Sequence, residues 1–100
     1  MKLEQMKNQA LNSLRNLERA KKETPIDKRG DDWATWVFAT ERDSERILEI
    51  VDIAEKMTDD EKAQIRNTPV YKDDVRFLKP IKIKYNLSWN ELKMLIRSDI

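Results

Sequence analysis

Apolar residues recur at helical spacing along most of this chain. The segment from Met1 to about Glu23 has one apolar face, which is made of Leu3, Met6, Ala10, Leu14 and Leu17. Apolar positions three or four residues apart are typical of an amphipathic helix. The helix should end before Pro25, because proline disfavours the helical conformation of the residue that precedes it.

The central stretch, Asp31 to Met57, carries the longest apolar pattern. One helical face would hold Trp33, Trp36, Val37, Thr40, Ser44, Ile47, Leu48, Val51, Ala54 and Met57. This spacing predicts one long helix that begins at Asp31 or Asp32 and places Trp33 and Trp36 in the core. The aromatic and β-branched residues at 33–39 leave a rival open, a short strand followed by a helix capped by Thr40.

The opposite face of that helix is acidic. An acidic stripe follows Phe38 at helical spacing and consists of Glu41, Glu45, Glu49 and Asp52. Two pairs within it are like-charged at i,i+4, and each such pair costs about 0.2–0.5 kcal/mol in an isolated helix. We therefore expect basic groups to lie against the stripe.

Two capping boxes predict helix starts in the C-terminal half. Thr58 with Glu61 should begin a helix of about two turns that ends near Thr68-Pro69, and Ser88 with Glu91 should begin a final helix from Trp89 to about Ser98.

The segment between these two helices is ambiguous. Asp73 or Asp74 can cap a helix there, and Pro80 should either kink that helix or mark the start of a new one. Alternation of apolar residues at 81–87 offers a strand instead. The turn of the final helix pair is predicted at 85–88.

The chain has 100 residues, with one glycine and three prolines. So few turn formers favour helices over a sheet. We expect an all-α fold, a compact bundle of four or five helices in a single domain, residues 1–100. The alternative is an α+β fold with short strands near 33–39 and 81–87.

The sequence contains no cysteine and no histidine. This excludes disulfides, thiolate nucleophiles, Ser-His-Asp triads and zinc sites built on those residues. The carboxylates cluster at helix starts or on an exposed stripe, so we expect no catalytic residues, no metal, no cofactor and no small-molecule substrate. The N-terminal segment has no apolar core of a signal peptide, which predicts a soluble, cytoplasmic protein with no membrane partner.

The net charge of +1 conceals an uneven pattern. Residues 1–30 carry eight basic and four acidic side chains, residues 31–60 carry three and ten, and residues 61–100 carry nine and five. An acidic middle packed between the basic ends is the simplest interpretation. The other interpretation is that the basic or the acidic surface is functional.

The segment Leu78 to Ile96 resembles the helix-turn-helix of small bacterial and phage DNA-binding domains. The resemblance rests on Ile81, the turn at 85–88, and the apolar Leu92 and Leu95. Lys82, where that family usually has a small residue, and Asn86, in place of the usual turn glycine, depart from the pattern. The resemblance implies a nucleic-acid-associated regulator with DNA as its partner, in which Asn90 is the best candidate to read a base. The implied contact residues are Lys79, Lys82, Lys84, Trp89, Asn90, Lys93 and Arg97.

A second hypothesis belongs to a different class. The acidic stripe, with Phe38 at one end, can mimic the charge of nucleic acid and occupy a basic groove on a nucleic-acid-binding protein. Phage-encoded anti-restriction and anti-CRISPR inhibitors often work in this way. A homodimer through the first helix also remains open, because that helix has near-heptad apolar spacing.

Overall fold

A computed structural model of the chain describes residues 2–98 and Ile100. The described residues form five α-helices and contain no strand, which confirms the all-α prediction. The helices are α1 (Leu3–Glu23), α2 (Asp31–Lys56), α3 (Asp59–Arg66), α4 (Lys79–Lys84) and α5 (Trp89–Arg97). Two short 3₁₀ helices, Ile26–Lys28 and Arg76–Leu78, lie in the connections. None of these helices combines the length and the apolar character that crossing a membrane requires.

The helix α2 is unbroken from Asp31 to Lys56, so the alternative strand at 33–39 is wrong. Helix propensities of aromatic and β-branched residues differ from alanine by at most about 0.7 kcal/mol per residue, which neighbouring turns can offset. The prediction that both tryptophans lie in the core is also wrong, because Trp33 is only half-buried and Trp36 is 48% exposed. Helical spacing assigned Trp36 to the apolar face, but buried side chains on that face begin only at Ser44.

The helix α1 ends at Glu23, one residue before Thr24-Pro25, as predicted. The Arg29 guanidinium donates to the carbonyl oxygens of Lys21, in the last turn of α1, and of Thr24, just after the helix. The same guanidinium lies 4.9 Å from the centre of the Trp33 ring. Arg29 therefore closes the connection after α1 instead of extending into solvent as a loop cation.

The chain divides into two compact units. One consists of Glu4–Glu49, and the other of Ile50–Ile100 with the N-terminal residues up to Leu3. The single-domain assignment stays a prediction. The second unit has its own apolar core, in which every helix and connection of the segment takes part: Ile50, Ala54, Met57, Ile65, Val75, Leu78, Ile81, Leu87, Leu92, Leu95 and Ile96.

Both predicted capping boxes are present. At the start of α3 the Glu61 backbone N–H donates to the Thr58 hydroxyl (3.2 Å), and the Thr58 N–H donates to the Glu61 carboxylate (2.9 Å). At the start of α5, Ser88 and Glu91 exchange the same two bonds at 3.1 and 2.8 Å. These reciprocal bonds satisfy two backbone donors that a helix start would otherwise leave unpaired.

Pro80 marks a new helix start, one of the two outcomes expected for it. The 3₁₀ helix Arg76–Leu78 leads directly into α4, and Pro80 occupies the first turn, where its missing N–H removes no helical bond. Residues 81–84 are helical and residues 85–88 form a turn, so the alternative strand at 81–87 is wrong as well. Neither Asp73 nor Asp74 is the N-cap of a helix here: the N-cap of the 3₁₀ helix is Val75, which makes no side-chain capping bond. Asp74 does accept a bond from the Arg76 N–H (3.1 Å).

Candidate nucleic-acid interface

The turn between α4 and α5 depends on Asn86, which has the left-handed backbone angle φ 53°. The Leu87 N–H donates to the Lys82 carbonyl (2.9 Å) and the Asn86 N–H to the Ile83 carbonyl (3.3 Å). This pair of bonds is the Schellman ending of a helix, in which asparagine can replace glycine. Asn86 therefore supplies the conformation for which the resembled family uses glycine.

The apolar positions that carry the helix-turn-helix resemblance are buried together. Ile81 of α4, Leu87 of the turn, and Leu92 and Leu95 of α5 belong to one core cluster. The chain thus has two short helices joined by a tight turn over a shared core. The assignment to a DNA-binding family stays a prediction.

Lys82 lies against Trp89. Its ammonium group is 5.0 Å from the centre of the Trp89 ring, within the range of a cation–π contact. The long side chain at this position is thus accommodated by the indole at the start of α5. Trp89 is 37% exposed, so part of this residue meets solvent.

Lys84 is engaged elsewhere. Its ammonium group donates to the Glu61 carboxylate (3.0 Å), to which the Tyr85 hydroxyl also donates (2.5 Å). The bond from Tyr85 is the main cause that lowers the pKa of Glu61 to about 2, with the Thr58 backbone next. The Glu61 side chain is only 12% exposed. Lys84 therefore ties α4 to the start of α3, a structural role that the sequence analysis did not assign to it.

A concavity of about 270 Å³ opens beside Trp89 and brings together residues from two distant segments. The segment that precedes α4 contributes one side, and α5 contributes Trp89 and Lys93. The lining residues are Asp73, Asp74, Val75, Arg76, Trp89 and Lys93. Sequence analysis did not name the first four of these as site residues, because the two aspartates were interpreted as possible helix caps and all four precede the helix-turn-helix segment 78–96.

Within the concavity, Arg76 and Asp74 form an exposed ion pair at 2.9 Å. Hydrogen bonds from the Arg76 side chain, and then from its backbone N–H, lower the pKa of Asp74 to about 2. The lining has two further charged residues: Lys93, which is half-buried, and Asp73, which is exposed.

The other predicted contact residues do not line the concavity. Lys79 is exposed in the first turn of α4, and Asn90 and Arg97 are exposed on α5. Among the predicted contact residues, Trp89 and Lys93 therefore line the concavity, and Lys82 lies against Trp89. Lys79, Asn90 and Arg97 lie on the outer surface.

The acidic stripe of α2 has cations beside three of its four carboxylates. Glu41 pairs with Lys21 of α1 at 3.5 Å. Two further pairs form along α2, Glu49 with Arg46 at 2.9 Å and Asp52 with Lys56 at 2.8 Å. Glu45 is exposed, and so is Phe38, at 65%, with the Arg42 guanidinium 5.5 Å from its ring.

Asp59, Asp60 and Glu61 do not converge on a metal position. Within residues 2–98 and Ile100, no group of three or more acidic side chains is arranged to hold a metal ion. No family model, curated protein or solved structure matches this chain. The site is therefore interpreted from its own geometry.

Proposed function

We propose that this protein is a non-enzymatic regulator that binds nucleic acid through the surface formed by α4, α5 and the segment before them. The observation that carries the proposal is the convergence of Arg76, Lys82 and Lys93 around the exposed ring of Trp89. Cations beside an accessible aromatic ring suit a polymer that presents phosphates and flat bases together.

The charge of this surface supports the proposal. Residues 72–99 carry seven cations against four acids, which are Asp73, Asp74, Glu91 and Asp99. Lys84 is bound to Glu61 and Arg76 to Asp74. We therefore assign most phosphate contacts to Lys79, Lys82 and Lys93, and we propose Arg97 of α5 as a further contact. Neutralising phosphates releases counterions, so affinity should fall steeply with salt.

Asn90 is the residue we propose for base reading. It lies at the second position of α5 and is exposed beside Trp89. An asparagine side chain can bind the adenine edge through two hydrogen bonds. Phosphate contacts from the lysines would set the register, and Asn90 would add sequence preference.

The test is fluorescence anisotropy of a labelled random duplex at several salt concentrations. The variant carries Lys93→Glu and Arg97→Glu. We expect it to lose most of the affinity at low salt, because two phosphate contacts become repulsive. A charge-matched control carries Lys7→Glu and Lys22→Glu on α1, which are both exposed. Equal losses in both variants would show that the effect comes from net charge alone. Absence of wild-type binding to the duplex and to single strands alike would reject the function.

The second candidate function is inhibition of a nucleic-acid-binding protein through the acidic face of α2. The observation that favours it is the exposure of Phe38 and Trp36 on a helix that also carries the stripe. The alternative predicts that Glu45→Lys with Glu49→Lys abolishes inhibition of DNA cleavage by a restriction or CRISPR nuclease while the helical CD spectrum persists. Undiminished inhibition by that variant would reject it.

A further inference from the structure

The concavity beside Trp89 has a mixed lining that suits neither a phosphate alone nor an apolar ligand. Trp89 supplies an aromatic wall, Arg76 and Lys93 supply cations, and Asp73 and Asp74 supply carboxylates. The carboxylates repel phosphate but accept hydrogen bonds from amino groups. A nucleotide suits both the carboxylates and the cations of the lining, with its base toward the aspartates and its phosphate toward the cations.

We propose that this concavity binds one unstacked nucleobase, so that the preferred ligand of the surface is single-stranded nucleic acid. This inference rests on the proposed function and names its substrate class. Pockets for drug-sized ligands occupy about 300–1,000 Å³. The 270 Å³ concavity is slightly smaller, which matches a single base rather than a longer stretch of chain.

The indole of Trp89 is the stacking group. Lys82 lies over its ring and steadies it, while part of the indole lines the concavity. Base stacking on an aromatic side chain is tolerant of sequence, because every base presents a flat face. In a duplex those faces are covered by neighbouring base pairs, so this contact is available only on an unpaired strand.

A second aromatic ring with a lysine beside it lies in the adjoining segment. Phe77 directly follows Arg76, is 53% exposed, and has the Lys72 ammonium 5.5 Å from the centre of its ring. Exposed aromatic rings among basic side chains are the usual means of holding successive bases of a single strand. Phe77 therefore offers a platform for a second base of the same strand.

Asp73 determines which bases fit best. Arg76 occupies the Asp74 carboxylate through two side-chain bonds, at 2.9 and 3.0 Å. The Asp73 carboxylate is then the acceptor for the base, and carboxylates bind the exocyclic amino group of cytosine. Cytosine and adenine carry such a group and thymine does not. Strands of cytosine or adenine should bind more tightly than thymine strands.

The experiment measures the anisotropy of labelled oligonucleotides of about twelve nucleotides, a length within the range bound by single-strand modules. The probes are oligo-dC and oligo-dT as single strands and a random duplex, all at neutral pH. The variants are Trp89→Ala, Trp89→Phe and Asp73→Asn. Trp36→Ala is the matched control, because Trp36 is an exposed tryptophan outside the concavity. Thermal unfolding followed by CD verifies that each variant is folded.

We expect the wild type to bind oligo-dC more tightly than the duplex. Trp89→Ala should weaken single-strand binding by roughly 5- to 150-fold, the range that loss of one base stack produces. It should weaken single-strand binding more than duplex binding, and Trp89→Phe should retain most of the affinity. Asp73→Asn should reduce the preference for oligo-dC over oligo-dT, and Trp36→Ala should behave as the wild type.

Three outcomes would overturn the inference. If Trp89→Ala binds single strands as tightly as the wild type, the concavity does not bind a base. Tighter binding to the duplex than to any single strand would also contradict the inference. In that case the proposed function would still stand if Lys93→Glu with Arg97→Glu lowers the affinity for the duplex. Absence of binding to every probe at low salt overturns the inference and the proposed function together.

Discussion

The acidic stripe of α2 and the basic surface of α4 and α5 are both clusters of like charge in the sequence, but their charged side chains differ in what they contact. In the stripe, Glu41, Glu49 and Asp52 each have a cation within 3.5 Å. On the basic surface, Lys84 is held by a carboxylate of α3, whereas Lys82 lies over an aromatic ring.

This difference shows that a run of like charges indicates a binding surface only through those side chains that are not already paired within the protein. The stripe loses much of its apparent charge to pairs along α2 and to Lys21 of α1. On the basic surface, Lys84 is paired with Glu61 and Arg76 with Asp74, but Lys82 remains beside an aromatic side chain. We therefore favour the basic surface as the site of function, and each prediction below alters one side of this comparison.

The largest effect is expected at Glu61, which holds Lys84 away from the basic surface. Glu61→Ala removes the acceptor of Tyr85, Lys84 and the Thr58 N–H, and hydrogen bonds to a charged group contribute about 1.5–3 kcal/mol. We expect the free energy of unfolding in urea to fall by about 2 kcal/mol. Glu55→Ala, at an exposed position of α2, is the control and should change it by less than about 0.5 kcal/mol. Equal losses in both variants would contradict the role of Glu61.

The same carboxylate predicts a pH dependence. Its pKa is about 2 in the folded protein against an ordinary 4.5, so the unfolded chain binds the proton first as the pH falls. The stability that Glu61 contributes is fully present above about pH 4.5 and is lost as the pH falls toward 2. Urea unfolding between pH 7 and pH 2 should show this decline, and Glu61→Gln should make it shallower. The flattening is partial, because Asp74, with its pKa also lowered to about 2, titrates in the same range. A variant profile as steep as the wild type would contradict the assignment.

Two lysines of α4 provide a matched pair on the basic surface. Lys79 and Lys84 are both exposed, but only Lys84 is bound to Glu61. Lys79→Ala should reduce the slope of log affinity against log salt by about 0.9, the value of one phosphate contact, without lowering the unfolding temperature. Lys84→Ala should lower the unfolding temperature and leave the slope nearly unchanged. The reverse assignment of these two effects would show that Lys84, and not Lys79, contacts phosphate.

The smallest effect is expected in the acidic stripe. Lys21→Ala removes the partner of Glu41, but both side chains are partly exposed, and such ion pairs contribute below about 1 kcal/mol. Lys22→Ala, at the neighbouring exposed position, controls for the loss of a lysine from the last turn of α1. Urea unfolding should separate the two variants by a few tenths of a kcal/mol. A larger separation would make Lys21 a main support of the stripe.

The helix boundaries were largely predictable because their signals act over a few residues. The two capping boxes, Pro25 and Pro80 each located a helix end within a residue or two. The candidate site was predictable only in part. Trp89 and Lys93 were both among the predicted contact residues, but their association with Asp73 and Arg76 depends on how the segment before α4 folds back on α5.

The sequence by itself predicted the all-α class, four or five helices and the residues able to face a core, since these follow from spacing and caps within one or two helical turns. The tertiary structure alone decided that Trp36 is exposed, that Lys84 binds Glu61 across 23 residues, and that a concavity opens beside Trp89. The physical reason is that burial and ion pairing depend on which distant segment covers a side chain. Helical periodicity describes the face of a helix but carries no information about what lies opposite that face.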